Sequence, residues 1–93
     1  MSRRRAYKEE TLAVMQRFFM TLDTLIEQNT IRGIQTYCRL YEIDKRHLYA
    51  QREDLGKGFF EVSWMLPMIS EYGVSANWLL FGKGQMFKPT RTK

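Results

Sequence analysis

Reactive side chains are scarce in this 93-residue chain, and that scarcity narrows what it can do. It has one histidine, His47, and one cysteine, Cys38, beside fifteen lysines and arginines and ten carboxylates. One Cys cannot close an internal disulfide, and one Cys with one His falls short of the ligand set of a zinc site. A single imidazole limits general acid–base chemistry. No Ser-His-Asp set follows a sharp strand-to-helix turn, and no His pair is spaced for a metal. Gly82-Lys83-Gly84 closes an apolar helical segment instead of opening one, so it is not a phosphate-binding loop. The expectation is a protein that is not an enzyme and that holds neither cofactor nor metal. What remains is the chemistry of guanidinium and ammonium groups, which is the binding of anions.

Those cations are concentrated at the ends. Residues 1–8 carry Arg3, Arg4, Arg5 and Lys8, and residues 83–93 carry Lys83, Lys88, Arg91 and Lys93, four positive charges each. The middle, 9–82, has seven basic and ten acidic side chains and sums to −3. Basic ends on a nearly neutral domain suit solubility as well as phosphate binding, so the net charge of +5 does not by itself select a partner. No run of apolar residues is long enough to span a membrane. Met-Ser-Arg-Arg-Arg has no apolar stretch behind it, which argues against a secretory signal. The chain reads as reduced and cytoplasmic.

The elements that must position these groups are helical. Leu12, Met15, Phe19, Leu22 and Ile26 recur at spacings of three and four and predict a helix over 9–28. Val14, Phe18 and Leu25 widen its apolar stripe. They either pack into the core or form an edge for a partner helix. Asn29-Thr30 break the pattern, and Thr30 is placed to cap a second helix over 31–41, with Ile34, Tyr37, Cys38 and Tyr41 on one face. Tyr37 and Tyr41 are expected in the core with hydroxyls reaching the surface. Glu42-Ile43 form a turn, and Asp44 caps a third helix, 45–53, whose inward anchor is Leu48. Gly56 and Gly58 open a loop. A fourth helix over 61–72 carries Val62, Met65, Leu66, Ile69 and Tyr72, and Pro67 predicts a delayed or irregular start. Gly73 closes it. Ser75 caps a fifth helix, 76–81, which Gly82 ends. Residues 88–93 form a tail. The fold class is all-α, one domain over 9–87 between basic ends.

Helices 31–41 and 45–53, with only a short turn between them, have the proportion of a helix-turn-helix. Here the chain resembles the lambda-repressor-like (Cro/CI) helix-turn-helix domains of phage repressors and their bacterial relatives. The run Tyr72-Gly-Val-Ser-Ala-Asn-Trp-Leu-Leu-Phe-Gly-Lys-Gly-Gln-Met-Phe87 is similar to the end of many such domains, and the resemblance spans about residues 12–87. It implies a compact five-helix domain, with Trp78 buried against the first helix and Cys38 where the family has a small residue packed on the second. Two positions depart from the family. Glu42 stands where Gly usually allows a left-handed backbone, at a cost of roughly 1–2 kcal/mol. Gln51 stands where a second apolar anchor is common. Both raise the expectation of an altered pose for the third helix.

The resemblance implies a small transcriptional regulator or repressor that reads double-stranded DNA with helix 45–53 in the major groove. With Leu48 inward, Arg46, Ala50 and Glu53 face outward and Lys45 and Tyr49 flank them. Lys45 and Arg46 suit the O6 and N7 acceptors of guanine, Ala50 a thymine methyl, and Tyr49 a sugar or phosphate. The candidate base contacts are therefore Lys45, Arg46, Tyr49 and Ala50. The candidate phosphate contacts are Arg3, Arg4, Arg5, Arg32, His47, Arg52 and Lys57. One short recognition helix reads few base pairs, so a homodimer is expected, through Val14, Phe18 and Leu25 or through Met86 and Phe87. No small-molecule effector site is evident. The competing expectation is a protein-interaction module, an antitoxin or adaptor, that uses the apolar edge of helix 9–28.

Overall fold

The computed structural model describes residues 7–89. Five α-helices run in chain order: α1 (Glu9–Glu27), α2 (Ile34–Leu40), α3 (Lys45–Glu53), α4 (Leu66–Tyr72) and α5 (Ala76–Phe81). A short 3-10 turn, Val62–Trp64, precedes α4. Among the described residues there is no strand, and Val74 and Phe87 form an isolated antiparallel bridge.

The core forms around α1. Met15, Phe18, Phe19, Leu22 and Leu25 are all buried, and Tyr37, Leu48, Trp64, Met68 and Leu79 close on them from the other elements. The rings of Phe18, Phe60 and Trp64 meet mostly edge-on, with centroids 5.4–6.1 Å apart. Phe18 and Leu25, 0% and 1% exposed, are therefore core residues and offer no surface to a second chain. The wide stripe on α1 is wide because the other helices surround it. With Phe18 and Leu25 inside, the competing reading of an adaptor edge on α1 loses its principal residues.

The start of α2 departs from expectation. Asn29 takes a left-handed backbone (φ 62°), and the N–H groups of Thr30 and Ile31 both donate to the Leu25 carbonyl. These bonds close α1 and tuck Ile31 into the core, so α2 begins at Ile34 and not at residue 31. Thr30 is exposed and caps nothing. Tyr37 also differs: its hydroxyl does not reach the surface but donates to the Trp64 carbonyl at 2.6 Å inside the core. Tyr41 and Tyr72 share a half-buried hydroxyl pair at 2.8 Å.

Pro67 acts as its position requires. The expected helix over 61–72 is split into the 3-10 turn and α4, with the proline in the first turn of α4. Of the apolar residues expected on this helix, Val62 and Leu66 are left 63% and 53% exposed, while Trp64, Met65 and Met68 fill the core. Trp78 is half-buried against the core, and Leu79 is the α5 residue that is fully enclosed.

Arg17 of α1 ties down the end of α5. Its Nε donates to the Leu79 carbonyl at 2.8 Å and its Nη2 to the Leu80 carbonyl at 3.0 Å, which serves the open carbonyls of the helix C-terminus. Gly82 follows with φ 71°, and a Cβ there would stand 3.0 Å from the Arg17 guanidinium. The chain then folds back. Ser75 N–H donates to the Met86 carbonyl and Lys88 N–H to the Gly73 carbonyl. This clip half-buries Met86 and Phe87 and packs Phe87 on the core, so Phe87 is engaged within its own chain and is not a free dimer contact.

Candidate nucleic-acid interface

The turn between α2 and α3 sets the geometry. Glu42 adopts φ 57°, the left-handed conformation, although it is not glycine. The Ile43 N–H reaches back to the Cys38 carbonyl at 2.9 Å and the Tyr41 N–H to the Tyr37 carbonyl, the bonding of a helix stop at a left-handed residue. The expected distortion at Glu42 is therefore absent, and the chain carries the strain of a Cβ in that region instead. Ile43 packs on the core behind the turn.

Asp44 then starts α3. Its Oδ1 accepts from the N–H groups of Arg46 (2.9 Å) and His47 (3.3 Å). The His47 N–H first, then that of Arg46, holds the Asp44 carboxyl below its ordinary value, so it stays ionised at the positive end of the helix. Leu48 is fully buried, as expected.

Gln51 takes the place of a second apolar anchor and is also fully buried. Its Nε2 donates to the Leu55 carbonyl at 2.8 Å and to Met15 Sδ at 3.2 Å, and its Oε1 accepts from the Phe59 N–H at 2.9 Å. One side chain thus fixes the loop after α3 to α3 and to α1. Nothing in the apolar pattern announced this role, because both of its oxygen-and-nitrogen partners are loop backbone groups.

With Leu48 and Gln51 inward, the outer face of α3 carries Lys45, Arg46 and Tyr49. The Arg46 side chain is 91% exposed, with Nε 3.9 Å from Asp44. Lys45 is exposed and Tyr49 is 39% exposed. Ala50 is half-buried at the side of the helix. Of the expected base contacts, Lys45, Arg46 and Tyr49 share one solvent-facing side, and Ala50 sits at its margin.

The phosphate candidates divide. Arg52 turns back to α1: its Nη2 lies 2.8 and 2.9 Å from the two Asp23 carboxylate oxygens, and its guanidinium stands over the Phe19 ring at 5.8 Å. Arg52 is a bridge between α1 and α3, not a free arm for a phosphate, because that pairing holds its charge against the body of the domain. His47 stacks flat on Phe59, with centroids 4.2 Å apart, and remains half-exposed. Lys57 lies in the loop, where its carbonyl accepts the Tyr7 hydroxyl at 3.1 Å. Arg32 is exposed in the bend that leads to α2. Arg3, Arg4 and Arg5 lie outside the described residues.

Arg39 was missed by sequence reasoning. It is exposed on α2 and lines two neighbouring hollows, one with Gln35, Ile43 and Lys45, the other with Arg32, Gln35 and Tyr49. The signal was available: Gln35 and Arg39 are four apart and share a helix face. Cys38 lies beneath, with burial raising its thiol pKa, so it is a packed apolar group and not a nucleophile.

No grouping of His, Cys, Asp or Glu among the described residues could hold a metal, and no helix there is long and apolar enough to cross a membrane. No protein-family model, curated protein or solved structure matches the chain.

Proposed function

We propose that this chain is a sequence-specific DNA-binding protein of the lambda-repressor-like helix-turn-helix class, a small transcriptional regulator or repressor that places α3 in the major groove. The observation that carries this reading is the presentation of α3. A left-handed turn at Glu42, the Asp44 cap, and the Leu48 and Gln51 anchors together leave Lys45, Arg46 and Tyr49 outward in the N-terminal half of a short helix. Recognition helices read base edges from that half. Arg46 offers a guanidinium fork that matches the O6 and N7 acceptors of guanine. The charge of the middle segment does not oppose this. Of its seven cations, Arg17 and Arg52 serve the fold, while Arg32, Arg39, Lys45 and Arg46 gather on the bend, α2 and α3.

A helix of nine residues covers few base pairs, so the reading includes a second copy of the chain on a two-fold site. The surface that suits it is a groove between α1 and α5 lined by Val14, Val62, Leu80 and Phe81. Phe81 is 67% exposed there. Of the sequence-expected dimer contacts, Val14 lies in this groove.

The test is retention on immobilised duplex DNA at low and high salt, followed by selection from a random duplex pool. Strong retention that falls steeply with salt, and a pool that converges on a motif, are expected. Retention that ignores salt, or a pool that never converges, would remove the DNA-reading assignment.

A further inference from the structure

We infer that Arg39 of α2, together with Arg32 and Tyr49, seats a backbone phosphate of duplex DNA in the hollow between α2 and α3. This rests on the DNA-binding reading and adds a contact from the helix that does not enter the groove. Arg39 borders both hollows on this side of the molecule, with Lys45 on one rim and Arg32 and Tyr49 on the other. Among the described residues no carboxylate lies within ion-pair distance of Arg32, Arg39 or Lys45, whereas Arg52 is paired with Asp23 and Arg46 faces Asp44. Arg39 shares one hollow with Lys45 and the other with Arg32, and an oxyanion seated beside them supplies the counter-charge that no ion pair provides. The Arg39 guanidinium offers a planar fork for phosphate oxygens, and the Tyr49 hydroxyl adds a neutral donor. Arg39 belongs to α2, whose counterpart in a helix-turn-helix crosses the sugar–phosphate backbone while the following helix enters the groove. A phosphate is therefore the group within its reach, and a base edge is not.

The experiment uses the full chain and two labelled duplexes, one selected from a random pool and one of mixed sequence. Binding is followed by anisotropy over a range of salt concentrations for the wild type, Arg39→Ala and Arg39→Lys. Arg39→Ala should weaken binding several-fold on both duplexes alike, and its salt slope should be shallower by about one unit. Arg39→Lys should restore most of that slope. The melting temperature should be unchanged in both variants, since the side chain is exposed and supports no other residue. An unchanged slope in Arg39→Ala overturns the phosphate contact, and so does a loss confined to the selected duplex, which would make Arg39 a base reader. A wild type that binds neither duplex overturns this contact and the DNA-binding reading together. A wild type that binds with normal salt dependence beside an indistinguishable Arg39→Ala overturns this contact alone.

Discussion

The two flanks of α3 are built on opposite principles. Toward the loop 54–60 and α1, most polar groups are matched, Arg52 Nη1 apart: Gln51 bonds to Leu55 and Phe59, His47 stacks on Phe59, and Arg52 Nη2 pairs with Asp23. Toward α2, Arg32, Arg39 and Lys45 stand exposed around open hollows, and among the described residues none of them has a carboxylate within ion-pair distance. The first flank holds the helix in place, and the second leaves charge available for something outside the molecule. A single short helix can do both because its two flanks face different neighbours. Substitutions on the matched flank should therefore change stability, and substitutions on the open side should change binding.

The largest effect is expected at Gln51. Gln51→Leu keeps much of the volume but strands the Phe59 N–H and the Leu55 carbonyl, each at a cost of about 1–3 kcal/mol if buried. Urea denaturation should show this as a lower midpoint. Undiminished stability would mean that the loop finds other partners and that the matched flank is not what fixes α3. On the open side, Arg46→Ala should leave the urea midpoint unchanged. Its affinity for the best duplex should fall by about 1–3 kcal/mol, with preference relaxed at one base position. Equal weakening on every sequence would reassign Arg46 to the backbone.

Smaller effects come from the turn and the cap that join the two flanks. Glu42→Gly should stabilise the fold by about 1 kcal/mol, the strain of the left-handed Cβ less the extra chain entropy that glycine loses. A destabilised variant would mean that the glutamate side chain contributes more than its backbone costs. The Asp44 carboxyl titrates below its ordinary value because the backbone N–H groups of His47 and Arg46 bond to it. A group depressed on folding stabilises the native state above its unfolded pKa, and that contribution disappears as pH falls through the folded value. The wild type should therefore melt above Asp44→Ala near neutral pH, and the gap should narrow in the acid limb. A gap that stays constant into acid would show that the cap acts without its charge. On the other side of the domain, the proposed second-copy contact at the α1–α5 groove requires Phe81→Glu to keep the fold, since Phe81 is exposed, and to sediment at a lower mass than the wild type; equal masses would remove that groove as the contact.

Much of the helical layout was legible in the sequence, because caps and stops are local. Asp44, Ser75, Gly73 and Gly82 mark element ends through bonds to neighbours within a few residues, and the structure places all four as expected. The periodic apolar residues of α1 likewise located Met15, Phe19 and Leu22 in the core. The start of α2 was not legible, since it depends on how Asn29 lets the chain double back on Leu25. Periodicity also could not say whether Phe18 and Leu25 face the core or a partner. A stripe wider than one neighbour requires is ambiguous until the number of surrounding helices is known.

The sequence by itself determined where α1, α3 and α5 lie and that α3 presents cations on its outer side, because both follow from short-range periodicity and capping. Only the tertiary structure decided which cations remain available. Arg17 and Arg52 look no different from Arg39 in the chain, yet two are drawn to carbonyls and a carboxylate more than twenty residues distant while the third is left exposed. That outcome depends on which groups folding brings within about 3 Å, and hydrogen bonding at that range has no signature in local spacing.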